Sequence, residues 1–272
     1  MMNVVSRAWL LEHLQDPEVV VVDCRFSLGD SQLGKQQYQT SHIVGAYYLD
    51  LNQDLSSLVG KHGGRHPLPN TNNLATKLSA IGVNYQKTLV VAYDDSRLAF
   101  ASRLWWLLRY FGHEQVAVLD GGYSEWLRAE YPLSSLIPES RTATFVPQLK
   151  ADMLVDINIL QSCKDNPSTV LIDSREKERY LGIKEPIDKI AGHIRGAVNY
   201  PWQEATDSNG YILSQSQHSE RWKSLQLAEE EKEIIVYCGS GVTACVNLLS
   251  LELAGIKGSK LYAGSWSDWI SY

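Results

Sequence analysis

The segment EIIVYCGSGVTACVNLLSLELAG (233–255) decides the fold. It begins with a nearly continuous apolar run, which is typical of a strand buried on both faces of a sheet. The residues CGSGV that follow contain two glycines and predict a tight turn. The stretch TACVNLLSLELAG (243–255) predicts a helix that ends at a glycine. A strand, a turn and a helix in this order predict a parallel sheet covered by helices.

Four short sequence words recur in the same order in the two halves of the chain. They are VVVDCR (20–25) with VLIDSR (170–175), SHIVGAYYLD (41–50) with GHIRGAVNYP (192–201), TLVVAYD (88–94) with EIIVYC (233–238), and GGYSEW (121–126) with GSWSDW (264–269). The copies lie about 150 residues apart, which indicates a duplicated domain. A helix predicted at 98–112 corresponds to the helix at 243–255. We therefore predict an α/β fold with two domains, 1–138 and 152–272, each a parallel sheet flanked by helices, and a linker rich in Pro, Ser and Thr at 132–152.

Composition and charge narrow the classes of function. The 272 residues include 25 basic and 31 acidic side chains, and the net charge of −6 argues against a general nucleic-acid or anionic-membrane binder. No apolar run approaches the roughly 20 residues of a membrane span, and the N-terminus lacks the pattern of a secretory signal. The four cysteines show neither CxxC spacing nor a disulfide framework, which favours a cytoplasmic protein. Because His and Cys residues lack metal-ligand spacing and no glycine-rich phosphate motif occurs, we expect no metal and no cofactor.

Cys238 is the candidate nucleophile. It follows the predicted strand directly, at the carboxyl end, where open α/β sheets place their ligands. Backbone N–H groups of the loop and the N-terminus of the next helix can lower a cysteine pKa from about 8.5 into the range of roughly 3.5–7.5. The residues expected to surround the sulfur are Gly239, Ser240, Gly241, Val242 and Thr243. Thr243 is also a candidate cap for the helix.

The loop CGSGVTA (238–244) resembles the active-site loop of the 3-mercaptopyruvate sulfurtransferases, within the tandem-domain rhodanese family. The Asp-x-Arg words, the His-Ile-x-Gly-Ala words and the two words ending in Trp resemble the other signatures of that family, over nearly the whole chain. The resemblance implies two rhodanese-like domains and a persulfide on Cys238. It also implies transfer of sulfur from 3-mercaptopyruvate or thiosulfate to cyanide or to a thiol such as thioredoxin. The first domain is expected to be inactive, because Asp94 occupies the position of Cys238.

Mercaptopyruvate enzymes of this family are thought to use a Ser, a His and an Asp to relay a proton. The matching serine is Ser240, and the matching histidine is His66. The aspartate has no single match, because the acidic position of the family falls on Asn52 while Asp50 and Asp54 lie close by. We therefore expect Ser240 and His66 to be catalytic and leave the third member open.

Arg179 resembles the arginine with which the family binds the donor carboxylate, a task that suits a bidentate guanidinium. Mercaptopyruvate members place a second arginine shortly before the Gly-His-Ile word, where this chain has Ile187, Asp188 and Lys189. Lys189 or Arg195 is a candidate replacement. The uncharged loop favours mercaptopyruvate as the donor, and the missing arginine does not. We expect mercaptopyruvate to be preferred and both donors to be used. A thiosulfate-preferring rhodanese and a carrier that hands persulfide to a partner protein without turnover stay open as alternatives.

Two further interpretations concern the loop and the remaining charges. Dual-specificity phosphatases share this architecture but read Cys-x5-Arg, and counting from Cys238 reaches Ala244, so no guanidinium of the loop can hold a phosphoryl group. The arginines of the Asp-x-Arg words, Arg25 and Arg175, are expected to form buried ion pairs with the aspartates before them. Cys245 is interpreted as structural, with a redox partnership to Cys238 as the alternative.

Overall fold

The computed structural model describes residues 2–226 and 232–272, which fall into two compact units. Unit 1 consists of Met1–Ser57, Leu68–Lys150 and Ser208–Ile212, and unit 2 of Leu58–Pro67, Ala151–Asp207 and Leu213–Tyr272. Each unit therefore comprises most of one half of the sequence and a short segment of the other half. Within the described ranges no helix is long and apolar enough to cross a membrane.

The described part of unit 1 has seven strands and five helices. In chain order they are β1 (Val4–Val5), α1 (Arg7–His13), β2 (Val19–Asp23), α2 (Leu33–Thr40), β3 (His42–Ile43), β4 (Tyr47–Tyr48), α3 (Thr71–Ala80), β5 (Leu89–Tyr93), α4 (Ala101–Tyr110), β6 (Val116–Leu119), α5 (Gly122–Arg128) and β7 (Leu133–Ser134). The short strands β3 and β7 pair with each other in antiparallel fashion.

The described part of unit 2 has five strands and five helices. In chain order they are β8 (Leu154–Val155), α6 (Ile157–Cys163), β9 (Thr169–Asp173), α7 (Lys177–Tyr180), β10 (Val198–Asn199), α8 (Gln215–Lys223), β11 (Glu233–Tyr237), α9 (Ala244–Leu253), β12 (Lys260–Tyr262) and α10 (Ser265–Trp269). Two 3-10 turns occupy Ala151–Met153 and Trp202–Ala205.

The main sheets of the two units have the same topology. Their strand orders are β1-β6-β5-β2-β4 and β8-β12-β11-β9-β10, and every neighbouring pair is parallel. The register agrees as well, because Asp23 pairs with Tyr93 in unit 1 and Asp173 pairs with Tyr237 in unit 2. The predicted α/β fold, with a parallel sheet flanked by helices in each domain, is confirmed.

The two helices predicted after equivalent strands are present and slightly shorter than expected. The helix predicted at 98–112 corresponds to α4 (Ala101–Tyr110), and the helix predicted at 243–255 corresponds to α9 (Ala244–Leu253). The terminal glycines, Gly112 and Gly255, have φ angles of +79° and +83°, which is the left-handed conformation of a helix C-terminal cap. Both helices are buried along most of their length, which explains why their apolar residues are not confined to one face.

The Asp-x-Arg words form the predicted buried ion pairs. In unit 2, Nη2 of Arg175 donates to Oδ2 of Asp173 at 2.7 Å and to the Gly192 carbonyl oxygen at 2.6 Å. In unit 1, Arg25 makes the same bonds to Asp23 at 2.6 Å and to the Ser41 carbonyl oxygen at 2.7 Å. Each arginine thus links the last residue of a strand, β2 or β9, to the residue directly before the His-Ile word. Removal of one partner from a buried pair typically costs about 3–5 kcal/mol.

The predicted linker is anchored to unit 1. Leu133–Ser134 forms strand β7, and further along the Tyr85 N–H donates to the Thr144 carbonyl oxygen at 3.0 Å. The Gln148 N–H donates to the Phe111 carbonyl oxygen at 2.8 Å. The linker has little regular structure, yet backbone hydrogen bonds hold it against unit 1. Sequence periodicity does not reveal such bonds, because they form outside helices and strands.

The loop after β5 wraps around the carboxylate of Asp94. This residue is buried, and its Oδ1 accepts from the N–H groups of Ser96 at 2.8 Å and Leu98 at 3.0 Å. Its Oδ2 accepts from the N–H groups of Phe100 and Ala101, both at 2.8 Å. Burial raises the pKa of Asp94, and these N–H groups offset part of the increase. The loop is thus filled by the side chain of its own first residue.

We expect Asp94→Ala to destabilise unit 1. The substitution leaves backbone donors without their acceptor, and because each unsatisfied buried group costs about 1–3 kcal/mol, the free energy of unfolding should fall by about 3 kcal/mol or more. Urea denaturation measures the difference. Asp95→Ala, which removes the exposed neighbouring carboxylate, is the matched control and should have little effect. Equal stability of the two variants would contradict this role of Asp94.

Candidate functional site

The loop that begins at Cys238 is held by the start of helix α10. The Cys238 N–H donates to Oγ of Ser265 at 3.1 Å, and the Cys238 carbonyl oxygen accepts from the Trp266 N–H at 3.0 Å. The Gly239 carbonyl oxygen accepts from the Ser267 N–H at 2.9 Å. Gly241 has a φ of +75°, and a Cβ there would lie 2.2 Å from the Ala263 carbonyl oxygen, so only glycine fits. The loop is therefore rigidly placed at the carboxyl end of β11.

The surroundings of the Cys238 sulfur favour the thiolate. Burial by itself would raise the pKa of this thiol. The Thr243 hydroxyl and the backbone N–H groups of Ser240, Ala244 and Gly241 hydrogen-bond to the sulfur, and together they bring the pKa of Cys238 below its ordinary value. Thr243 stands at the N-cap position of α9 but makes no capping hydrogen bond, so the expectation that it caps the helix is wrong. Its hydroxyl is directed to the sulfur instead.

Ser240 and His66 are in hydrogen-bond contact. Oγ of Ser240 lies 2.8 Å from Nδ1 of His66, and both residues are buried. His66 comes from the N-terminal half of the sequence, yet it belongs to unit 2 through the segment Leu58–Pro67, which we call the 58–67 segment. The structure thus brings the predicted serine and histidine together in the unit that holds Cys238.

Helix α10 also anchors the 58–67 segment. The Gly63 N–H donates to Oδ1 of Asp268 at 2.6 Å, and the Arg65 N–H donates to Oγ of Ser267 at 3.1 Å. Oδ2 of Asp268 accepts from the hydroxyl of Tyr262 at 2.6 Å, which fixes the carboxylate. One short helix therefore positions both the Cys238 loop and the segment that carries His66.

Arg179, the residue predicted to bind the donor carboxylate, lies beside Gly239 of the loop. A Cβ on Gly239 would be 3.3 Å from its Nη2 and 3.5 Å from its Nη1. The guanidinium is ion-paired with Glu185 at 2.9 Å and with Asp188 at 2.9 Å. Glu185 also pairs with Arg175 at 3.2 Å, so Arg179 is connected to the Asp-x-Arg pair of unit 2.

A second guanidinium at the loop was missed from the sequence. Nη2 of Arg65 lies 2.9 Å from the position of a Cβ on Gly239, and Nη1 of Arg65 pairs with Asp188. Burial lowers the pKa of Arg65, and the negative charge of Cys238 opposes that change. The two candidates from the sequence, Lys189 and Arg195, are exposed. The position of Arg65 next to His66 in the chain is the sequence signal that could have identified this residue.

The acidic candidates for the third relay position are engaged in unit 1. Oδ1 of Asp50 accepts from the N–H groups of Asn52 at 2.8 Å and Gln53 at 3.0 Å. Oδ2 of Asp54 accepts from the Asp50 N–H at 2.9 Å, and Oδ1 of Asp54 pairs with Lys77. These bonds close the turn that follows β4.

The other cysteines have different surroundings. Burial raises the pKa of Cys24, with nearby Asp23 adding to the effect, and burial also raises the pKa of Cys163. Sγ of Cys245 is buried and lies 3.4 Å from the Gly241 carbonyl oxygen. In the part of the chain that the structure describes, no group of three or more His, Cys, Asp or Glu residues is arranged to hold a metal ion.

Comparison with protein-family models matches residues 6–129 and 157–272 to the rhodanese-like domain. The chain belongs to the rhodanese family. The match occurs twice, in agreement with the internal repeat and with the two equivalent sheets. In this rhodanese, the second match contains Cys238, and the first contains Asp94 at the equivalent position.

Curated and solved relatives are similar to this rhodanese over nearly its whole length. A protein of Pseudomonas aeruginosa named "Probable 3-mercaptopyruvate sulfurtransferase" is 43% identical over 264 residues, which are 96% of this chain and 93% of that protein. The "Thiosulfate sulfurtransferase" of Rattus norvegicus is 29% identical, over 98% of this chain and 91% of that protein. The crystal structure of a 3-mercaptopyruvate sulfotransferase from Escherichia coli has a TM-score of 0.86 at 32% identity and covers 98% of this chain and all of that one. This rhodanese is accordingly a sulfurtransferase enzyme.

We expect Thr243→Val to raise the pKa of Cys238. A hydrogen bond to a charged group is worth about 1.5–3 kcal/mol, which corresponds to a shift of roughly one to two pKa units. The ultraviolet absorbance of the thiolate, followed against pH and corrected with Cys238→Ser, measures the midpoint. Thr243→Ser keeps the hydroxyl and should titrate like the wild type. An unchanged midpoint in Thr243→Val would show that the backbone N–H groups alone stabilise the thiolate.

Proposed function

We propose that this enzyme moves sulfane sulfur from 3-mercaptopyruvate to a thiol or to cyanide through a persulfide on Cys238. The observation that carries the proposal is the buried Cys238 sulfur, whose pKa is lowered by Thr243 and by backbone N–H groups. Thiolate is the nucleophilic form of cysteine, so this residue is prepared to attack sulfur. The names of the relatives from Pseudomonas aeruginosa and Escherichia coli support mercaptopyruvate as the donor.

The proposed chemistry has two half-reactions. In the first, the Cys238 thiolate attacks the thiol sulfur of 3-mercaptopyruvate. An S–S bond forms, the C–S bond of the donor breaks, and its electron pair leaves on carbon as the enolate of pyruvate. The donor's thiol proton is transferred to that carbon, which gives pyruvate and a persulfide anion on Cys238. In the second half-reaction cyanide or an acceptor thiol takes the outer sulfur, the S–S bond breaks, and the Cys238 thiolate is restored.

Ser240 and His66 are the proposed route for the proton. Their hydrogen bond of 2.8 Å joins the loop to an imidazole, a group that can accept and return a proton near neutral pH. Ser240 stands two positions after Cys238 in the loop, and its backbone N–H hydrogen-bonds to the Cys238 sulfur. The pair would deliver the proton to the enolate carbon as the C–S bond breaks.

Thiosulfate is the second candidate donor. The name of the relative from Rattus norvegicus supports it, and two guanidinium groups beside Gly239 suit an anion of either kind. The loop residues 239–243 carry no charge, however, and thiosulfate-preferring members of the family commonly place basic residues there. We therefore propose mercaptopyruvate as the preferred donor.

The remaining parts of the proposal concern the domains and the surroundings of the reaction. We propose that the domain 152–272 is catalytic and that the loop of the domain 1–138 is catalytically inactive, because the carboxylate of Asp94 cannot carry sulfane sulfur. His66 lies within 1–138 but belongs to unit 2 through the 58–67 segment. A cytoplasmic location and a thiol acceptor such as thioredoxin fit a sequence whose four cysteines show neither CxxC spacing nor a disulfide framework. No nucleic acid or membrane partner is proposed.

We expect Cys238→Ser to abolish sulfur transfer from both donors, because a hydroxyl cannot form the persulfide. Cys24→Ser, Cys163→Ser and Cys245→Ser should each retain most of the activity. Steady-state rates with cyanide as acceptor measure all four variants. Normal turnover by Cys238→Ser would refute the proposed nucleophile.

We expect His66→Asn and Ser240→Ala to affect the two donors unequally. Transfer from mercaptopyruvate requires protonation of a carbon, whereas sulfite leaves thiosulfate without a proton. Loss of general acid catalysis should lower kcat for mercaptopyruvate by roughly 10²–10⁴-fold and should leave thiosulfate much less affected. Rates for the two donors are measured side by side on the same preparations. Equal losses of kcat for the two donors would show that Ser240 and His66 maintain the structure of the loop and do not transfer the proton.

A further inference from the structure

We propose that Asp268 is a positioning residue for sulfur transfer from mercaptopyruvate, because its carboxylate holds the 58–67 segment where His66 reaches Ser240. This inference rests on the proposed function, since it concerns the pair proposed for proton transfer. It gives a role to the acidic residue of the word GSWSDW (264–269), which takes no part in the two half-reactions themselves.

The carboxylate of Asp268 is buried and accepts a hydrogen bond on each oxygen. Oδ1 accepts from the Gly63 N–H at 2.6 Å, and Oδ2 accepts from the Tyr262 hydroxyl at 2.6 Å. Tyr262 is the last residue of β12, so the carboxylate is fixed to the sheet of unit 2. A hydrogen bond to an ionised acceptor is roughly twice as strong as one between neutral groups. Asp268 therefore joins the sheet to a backbone group three residues before His66.

The 58–67 segment depends on such contacts for its path. It contains no helix or strand in the structure, and its beginning is exposed, with Leu58 96% and Val59 67% accessible to solvent. Gly64, which follows the residue bound by Asp268, has a φ of +78°. Its backbone lies so close to Gly264 that a side chain would not fit between them. The end of the segment that leads to His66 is therefore placed by the residues around α10.

Unit 1 contains the same arrangement at Glu125, the acidic residue of GGYSEW (121–126). Oε2 of Glu125 accepts from the Tyr211 hydroxyl and from Nη1 of Arg7, the latter at 3.0 Å. Tyr211 lies in the 208–212 segment, which belongs to unit 1 although it comes from the second half of the sequence. The segments 58–67 and 208–212 begin 150 residues apart, as do the residues of the Asp-x-Arg words. Each unit thus holds the equivalent segment of the other half through the acidic residue of this word.

The first glycine of each word makes room for the carboxylate. A Cβ on Gly264 would lie 2.6 Å from Cγ of Asp268, and a Cβ on Gly121 would lie 2.6 Å from Cγ of Glu125. Both distances are too short for any side chain at the glycine. The repeated pattern of a glycine and an acidic residue four positions later is therefore explained by the docking of a segment.

The two copies differ in what the held segment carries. In unit 2 the segment carries His66, which contacts Ser240 beside the nucleophile. In unit 1 the equivalent loop is filled by Asp94, and no step of the proposed reaction takes place there. Loss of the carboxylate should consequently impair proton transfer in unit 2 only, which makes Glu125 the matched control for Asp268.

The test compares Asp268→Ala, Asp268→Asn and Glu125→Ala with wild type, using both donors. A misplaced His66 should lower kcat for mercaptopyruvate roughly tenfold to a hundredfold in Asp268→Ala, and kcat for thiosulfate much less. Asp268→Asn keeps an oxygen that can accept from the Gly63 N–H but loses the charge, so its kcat should be intermediate. Glu125→Ala should turn over both donors like the wild type.

A double variant shows whether Asp268 acts through His66. If it does, Asp268→Ala combined with His66→Asn should have the same kcat for mercaptopyruvate as His66→Asn alone, because an imidazole that is absent cannot be misplaced. Losses that multiply in the double variant would overturn the inference. So would an unchanged kcat in Asp268→Ala, or equal losses for the two donors.

Folding and the proposed function are controlled in the same samples. Melting temperatures report folding of each variant, and thiosulfate turnover reports the integrity of the Cys238 loop. If Asp268→Ala does not fold, Asp268→Asn must show the unequal loss for the two donors, and its absence there would overturn the inference. Equal losses for the two donors in His66→Asn itself would instead refute the proposed proton route, so the two failures are distinguishable.

Discussion

The structure of each unit depends on a ring of backbone N–H groups around one buried side chain that directly follows a strand of the sheet. In unit 2 the ring surrounds the Cys238 sulfur, and in unit 1 it surrounds the carboxylate of Asp94. The balance of forces differs between the two. Hydrogen bonds outweigh burial at Cys238 and lower its pKa, whereas burial outweighs them at Asp94 and raises its pKa. The same loop architecture thus favours a thiolate in one copy and is filled by its own side chain in the other.

Function requires more than this ring, and the additional groups come from a distant part of the sequence. The 58–67 segment brings His66 to Ser240 and Arg65 to Gly239. Helix α10 holds both the loop and the segment, so Cys238 and the pair proposed for proton transfer, Ser240 and His66, share one support. Catalysis of sulfur transfer needs such rigid positioning, because the reacting groups must be held in fixed geometry.

Much of the fold and part of the site follow from local patterns. The apolar runs, the glycines around the loop and the internal repeat predicted two equivalent parallel sheets and placed Cys238 at a strand end. The contact of Arg65 with Asp188 joins residues 123 positions apart, and no local pattern predicts it. The sequence also could not predict the direction of the Thr243 hydroxyl. A threonine at this position can either cap helix α9 or hydrogen-bond to the Cys238 sulfur, and both need the same residue. Long-range pairing and side-chain direction are set by packing, which a single sequence encodes only indirectly.

The central claim is that sulfur resides on Cys238 between two half-reactions. Its most direct test is a single turnover of the wild-type enzyme with one equivalent of 3-mercaptopyruvate and no acceptor, followed by intact-protein and peptide mass spectrometry. The account predicts one added sulfur atom on the peptide that contains Cys238, one pyruvate released per enzyme, and loss of the added sulfur when cyanide is supplied. Pyruvate release with an unmodified Cys238, or sulfur found on another cysteine, would contradict it.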